Sequence, residues 1–346
     1  MKVAVVGAGV CGLAAAKTLT QRGHQVTLYE QFDLFHDRGS SHGASRIVRR
    51  AYSDPFYTAC MAEAYPMWSA LEIESGKSLL HECGLLYYGP ASSPNIVSVA
   101  KGLQDLGVPF ETLDPSRTHS LLPNLRLDKD EVAIWTPEAG WVEADTALQA
   151  LFAIAVRNGL SVHSGQPVDP IILAGENDAV VVAAGSWIKR HVPIPVHTTL
   201  QTFAYVDAQI EGPVWIEEGP NLPYGFPSDK NGQKIGIHRP GPQVDPSVSD
   251  RNPSPEFIEI IRETASRRFG IENPKVGQAK GCIYTTTTTE DFLLGRLASN
   301  TFFASACSGH GFKLSLWIGC LLSDFVEGKD LPEKHPRFFW GTGPGG

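Results

Sequence analysis

The chain has 346 residues, of which 42% are hydrophobic and 19% charged, with a formal net charge of −8 and six cysteines. That length and balance suit one large or two moderate globular domains, and the acidic surplus argues against a nucleic-acid partner. No apolar run reaches the ~20 residues of a membrane span, and cysteines 11, 60, 83, 282, 307 and 320 show neither CxxC nor zinc spacing, so neither a disulfide framework nor a metal site is expected.

The chain opens on Val3-Ala4-Val5-Val6, an apolar run suited to a buried parallel strand. A strand so near the start leaves no room for a signal peptide, and the chain's end carries no Ser-Lys-Leu. A cytoplasmic location is expected, with the peroxisome open for a eukaryotic source. Gly7-Ala8-Gly9-Val10-Cys11-Gly12 follows, then the helix-forming Leu13-Ala14-Ala15-Ala16-Lys17-Thr18-Leu19, then Gln25 to Glu30 as a second strand. This strand–GxGxxG–helix–strand unit is the context a dinucleotide cradle requires. Gly7 permits the turn, Gly9 lets backbone approach a pyrophosphate, and Gly12 allows close helix–strand packing. The helix start offers free N–H groups to phosphate, and Glu30 is placed to accept from a ribose hydroxyl. The unit alone does not separate FAD from NAD.

Further along, Arg38 to Arg50 is a local basic cluster holding Arg46, Arg49 and Arg50. In an acidic chain it is either a solvated face or an anion site. Residues 81–90 and 196–245 alternate and carry aromatic and turn residues, as antiparallel sheet does. Ala179 to Gly185 and Thr301 to Ala306 read as strands returning to the first sheet. Ser254 to Phe269 reads as a helix and Lys280 to Thr289 as a strand. Ser308-Gly309-His310-Gly311-Phe312-Lys313 opens a late helix, and the 341–346 glycine-rich tail is expected to be disordered. The fold class is α/β: a Rossmann-like cofactor domain (1–80, 145–195 and 290–346) interleaved with an antiparallel-sheet α+β substrate domain (81–144 and 196–289).

Six stretches, in order, resemble monomeric sarcosine oxidase and its relatives, the N-methyltryptophan and pipecolate oxidases. They are Gly7–Gly12 with Glu30, Ser40-Ser41-His42-Gly43-Ala44-Ser45-Arg46-Ile47-Val48-Arg49, Tyr224-Gly225-Phe226-Pro227, Lys234-Ile235-Gly236-Ile237-His238, Gly281-Cys282-Ile283-Tyr284-Thr285 and Ser308 to Lys313. The resemblance spans nearly the whole chain. It implies FAD, covalently held by Cys282, and O₂-dependent oxidation of the secondary amine of a small amino acid to an imine, with release of hydrogen peroxide. Arg46 and Lys313 match the pair that holds the substrate carboxylate, as a guanidinium fork and an ammonium can. Arg49 falls beside the flavin, and Arg50 has no assigned task. Lys234 matches the oxygen-activating lysine, where a buried ammonium steadies developing negative charge. Four-residue spacing puts His238 on the same strand face as Lys234. His310, Tyr284 and Tyr224 match pocket residues. Ser41, His42, Gly185, Gly309, Gly311 and Phe312 join the glycine loop and Glu30 in the cofactor set.

Each residue also has an ordinary alternative: a buried structural cysteine for Cys282, with Cys307 as a rival anchor, an exposed strand lysine for Lys234, packed core histidines and aromatics for the rest. The chain is shorter than typical members between Gly159 and Ala179. It also carries Gly295-Arg296 where the family often has an aspartate. No residue is an obvious strong base, so hydride transfer from a neutral amine fits best. Two other enzymes share these motifs: a flavin-dependent amino-acid dehydrogenase passing electrons elsewhere, and a primary L-amino-acid oxidase. A non-catalytic dinucleotide-binding redox sensor is the reading from another class. No metal, membrane or nucleic acid enters these readings, and a monomer is expected.

Overall fold

A computed structural model describes residues 1–247, 251–329 and 334–340. The expectation for the 341–346 tail concerns residues outside these. The strand Lys2–Val6 lies near the centre of a seven-stranded sheet, parallel to Gln25–Tyr29 on one side and Ala179–Val182 on the other. Ser161–His163 extends one flank, while Thr301–Ser305, the antiparallel Leu293–Ala298 and Phe339–Trp340 extend the other. Alternation decides the two faces. Val3 and Val5 join the core under the helices Val10–Gln21, Ala144–Arg157 and Ser315–Val326. Ala4 and Val6 turn the other way, against Leu173, Ile188, Val192 and Ile194. A sheet buried on both faces needs unbroken apolar strands, which is why these read as valine runs.

The second sheet has eight strands, in the order Val276–Thr286, His197–Val206, Gln233–Ile237, Pro223–Gly225, Val214–Glu217, Leu85–Pro90, Glu131–Thr136 and Glu111–Leu113. Its neighbours are antiparallel except Val214–Glu217 against Leu85–Pro90, which run parallel, so the antiparallel expectation holds with one exception. The helix Pro255–Phe269, capped by the Ser254 hydroxyl, covers one face. Ile235 and Ile237 point into that core, so Lys234, the residue before Ile235, points to the opposite face. The expected strand 280–289 is displaced: it spans Val276–Thr286, and the later threonines form a turn ending at Glu290, whose φ is +61°. Thr287 Oγ1 donates to the Asp291 carbonyl there, satisfying that turn locally. A three-stranded sheet of Ser45–Val48, Gly140–Glu143 and Leu80–Glu82 completes the fold. The stretch Gly159–Ala179 holds only the three-residue strand and the short helix Pro170–Glu176. No described helix is long and apolar enough to cross a membrane.

Candidate active site

One large cavity, about 540 Å³, runs from the Gly7–Gly12 loop to the face of the eight-stranded sheet carrying Lys234. At its first end the glycines are obligatory. A Cβ on Gly12 would lie 1.9 Å from the Gly7 carbonyl oxygen, and one on Gly7, whose φ is +105°, would lie 2.4 Å from that of Ala183. The Glu30 carboxylate organises the loop, accepting from Ala8 N–H (2.8 Å) and Phe32 N–H (3.0 Å). Burial works to raise its pKa, but hydrogen bonds from His36, Ala8 and Phe32 outweigh that and keep it below the usual value. Ser41 Oγ accepts from Val10 N–H at 3.1 Å, closing the helix start from a distant loop. His42 is half-buried, with Nε2 enclosed and unpartnered, and desolvation, then Arg46, pushes its pKa down to about 4. Gly185, at φ +51°, turns the chain after Ala179–Val182 into the cavity wall. A glycine cradle, a helix start and an unspent buried donor or acceptor together fit the pyrophosphate and ribose of a dinucleotide.

At the other end, Lys234 is buried. Its Nζ donates to Ser45 O (3.1 Å) and contacts Ser45 Oγ (3.2 Å), between the rings of Phe203 and Phe226 at 4.6 and 4.9 Å. Burial, then the neighbouring Arg46 charge, pushes its pKa down to about 7. Its strand ends at Ile237, so His238 lies one residue beyond, yet it lines the same cavity. Gly236 leaves room for the Tyr224 ring, since a Cβ there would sit 2.5 Å from the Tyr224 hydroxyl. Burial holds the Tyr224 and Tyr284 phenols above their ordinary pKa. His238 packs against Tyr284 (ring centroids 5.7 Å), and both crowd Gly309, where φ is +70° and a Cβ would lie 2.5 Å from Tyr284. Cys282 is a buried thiol on the cavity wall. Burial raises its pKa, while Arg46 and Lys234 pull it back.

The 308–313 motif forms a tight turn and a short 3₁₀ segment, and the helix begins only at Ser315, later than expected. Gly311 is required there, because a Cβ would meet the Ala306 carbonyl at 1.8 Å. Phe312 stacks on Trp68 (centroids 5.9 Å), whose Nε1 donates to the Lys313 carbonyl at 2.9 Å. His310 Nε2 lies 3.1 Å from the Glu290 carbonyl, which can only accept, so Nε2 carries the proton. Nδ1 then accepts from the Tyr52 hydroxyl at 3.3 Å. His310 is thus a fixed neutral imidazole. Burial, then Lys313, holds its pKa well below the ordinary value, and burial, then Arg49 and Lys313, brings His238 to about 4.

The two arginines are held differently. Arg46 folds back onto its own loop, donating to the carbonyls of Ser45 and Ser40, both at 2.9 Å, and of His42. Three carbonyls satisfy its fork, and it sits with Lys234 and Cys282. Arg49 makes no hydrogen bond or ion pair among the described residues. Its guanidinium lies 4.1 Å over the Tyr52 ring, and Lys313 Nζ lies 5.6 Å from the same ring. Burial, then Arg49 and Arg46, drives the Lys313 pKa well below its usual value. Arg50 pairs with Glu138 at 3.2 Å. Tyr52 and Tyr57 were not among the sequence candidates. The only signal was an aromatic two residues after Arg50.

A nucleotide cradle joined by one cavity to a cationic, aromatic-lined pocket defines a flavoprotein oxidoreductase. Residues 2–325 match the family described as FAD dependent oxidoreductase (DAO), and the chain belongs to it. An N-methyl-L-tryptophan oxidase of Yersinia pestis (strain Pestoides F) is 28% identical over 359 residues, covering 95% of each chain. Two solved structures share the fold. One is NikD, an unusual amino acid oxidase essential for nikkomycin biosynthesis (TM-score 0.80, 22% identity, 94% and 93% covered). The other is L-proline dehydrogenase from P. horikoshii (TM-score 0.84, 19% identity, 97% and 96% covered).

Proposed function

We propose that this enzyme oxidises the secondary amine of an amino acid, an N-methyl or cyclic imino acid, with O₂ as the acceptor, giving an imine and hydrogen peroxide. The observation that carries this reading is the pair Arg49, half-buried, and Lys313, buried, with no acidic partner among the described residues, facing one cavity with the FAD cradle. Bound FAD supplies the two-electron acceptor for the substrate C–H bond. The seven-stranded half (1–80, 145–195 and 290–346) would bind it through Gly7, Gly9, Gly12, Glu30, Ser41, His42, Gly185, Gly309, Gly311 and Phe312. The eight-stranded half (81–144 and 196–289) would shape the substrate pocket.

Arg49 and Lys313 hold the substrate carboxylate as fork and point charge. His238 and His310, both neutral at pH 7, add no positive charge beside the amine. With the Tyr224–Tyr284 pair they favour the uncharged amine, the form able to lose hydride. Lys234, protonated below about pH 7, presents its Nζ where O₂ is reduced, and Arg46 holds the Ser40–His42 loop against the cofactor. Cys282 is the covalent anchor; burial holds its thiol above the ordinary pKa, and the Arg46 and Lys234 charges pull it back toward the thiolate. The similarity to an N-methyl-L-tryptophan oxidase and to an L-proline dehydrogenase supports amino-acid secondary amines. It leaves a dehydrogenase as the second reading. We take the enzyme to be a monomer.

Turnover with sarcosine, N-methyl-L-tryptophan and L-proline should release one peroxide per imine. Substrate-dependent dye reduction without peroxide would establish the dehydrogenase instead. Denatured wild-type protein should keep its flavin mass and Cys282→Ala should shed it; flavin retained by the variant would move the link elsewhere.

A further inference from the structure

Arg49, half-buried, and Lys313, buried, are like charges that meet over one ring, a costly arrangement unless something stabilises both. Neither forms an ion pair among the described residues. What they share is Tyr52. The Arg49 guanidinium carbon is 4.1 Å from its ring centroid, and the Lys313 Nζ is 5.6 Å from it. The ring is fixed at its far end, where the hydroxyl donates to His310 Nδ1 at 3.3 Å. It is braced on its flank by Tyr57, with centroids 5.5 Å apart. The loop closes on itself, because the His310 carbonyl accepts from Lys313 Nζ at 3.2 Å. Burial keeps the Tyr52 phenol protonated, so it offers the cations a π face rather than a negative charge.

We infer that Tyr52 is the positioning residue of the carboxylate clamp: its ring is the common platform that keeps Arg49 and Lys313 side by side, charged and turned to the cavity. This rests on the reading of Arg49 and Lys313 as that clamp. A neutral π face is suited to the task. It attracts both cations by its quadrupole yet leaves their charge for an incoming carboxylate, where a resident aspartate would neutralise it.

The test is calorimetric binding to the FAD-loaded enzyme of tetrahydrofuran-2-carboxylate, an ether without an oxidisable amine, and of its carboxamide. Wild type should favour the carboxylate. Tyr52→Leu should weaken the carboxylate by about tenfold or more while shifting the carboxamide by no more than about twofold. Tyr52→Phe, which keeps the ring and loses the hydroxyl, should stay near wild type for both. Pentafluorophenylalanine at position 52, which keeps the shape but reverses the quadrupole, should behave like the leucine variant and serves if that one does not fold. Equal weakening of both probes, or a carboxylate preference that survives Tyr52→Leu and the fluorinated ring, overturns the role of Tyr52 and leaves the clamp standing. A wild type that binds acid and amide alike overturns the clamp itself, and the inference with it.

Discussion

Lys234 shows how surroundings make a side chain's chemistry. Its ammonium is enclosed by Phe203, Phe226 and Ser45, with Arg46 nearby, so its pKa falls from the model-compound 10.5 to about 7. The sign for stability follows directly. Between about pH 7 and 10.5 the unfolded chain holds a proton on this lysine that the folded chain does not, so stability rises with pH there. The group contributes a slope of up to about 1.4 kcal/mol per pH unit. Urea denaturation of wild type and Lys234→Met across that range should give curves that diverge, the variant being flatter. Parallel curves would mean the lysine titrates normally. In single-turnover kinetics the same variant should slow the reaction of reduced enzyme with O₂ far more than its reduction by substrate. Equal slowing of both steps would count against the oxygen role.

At the scale of elements, the helix Pro255–Phe269 is tied to the sheet it covers by more than its apolar face. Arg268, 3% exposed, makes a bidentate pair with Glu131 on Glu131–Thr136, both contacts at 2.6 Å, and reaches Glu217 on Val214–Glu217 at 3.0 Å. Arg268→Met would leave two buried carboxylates short of their partner and should cost about 3 kcal/mol or more, read as a lowered urea midpoint. A loss below about 0.5 kcal/mol, the usual limit for exposed positions, would show that water reaches the network. Element existence was legible wherever periodicity was strong: the valine strands, the helix after Gly12, the helix capped by Ser254. Boundaries were less so. The threonine run favours strand by side-chain preference, yet Thr287 bonds locally to Asp291, and that contact ends the strand after Thr286. Arg46 and Arg49 illustrate a deeper limit. Residue type and spacing bring both into the cavity wall, but which one turns back is decided by the Ser40 and His42 carbonyls, a tertiary circumstance that spacing does not encode.

For the whole molecule, the cavity exists because distant parts of the chain meet. The glycine loop comes from the first dozen residues, Arg46 from the small sheet and Arg49 from just beyond its strand, Lys234 and Tyr284 from the eight-stranded sheet, and Lys313 from the turn before the last long helix. Most of these residues carry a sequence signal, since glycine spacing, a basic cluster in an acidic chain and lysines within ordered motifs stand out in themselves. Tyr52 carries almost none, because its role depends on two cations and a histidine that approach from elsewhere. The central claim, that this assembly removes hydride from the secondary amine of an amino acid, is tested most directly by anaerobic titration of the purified enzyme with an amine panel, following the visible flavin absorbance. N-methyl and cyclic amino acids should bleach the band while primary amino acids leave it unchanged. A band that no amine bleaches, or that primary amino acids bleach equally well, would contradict it.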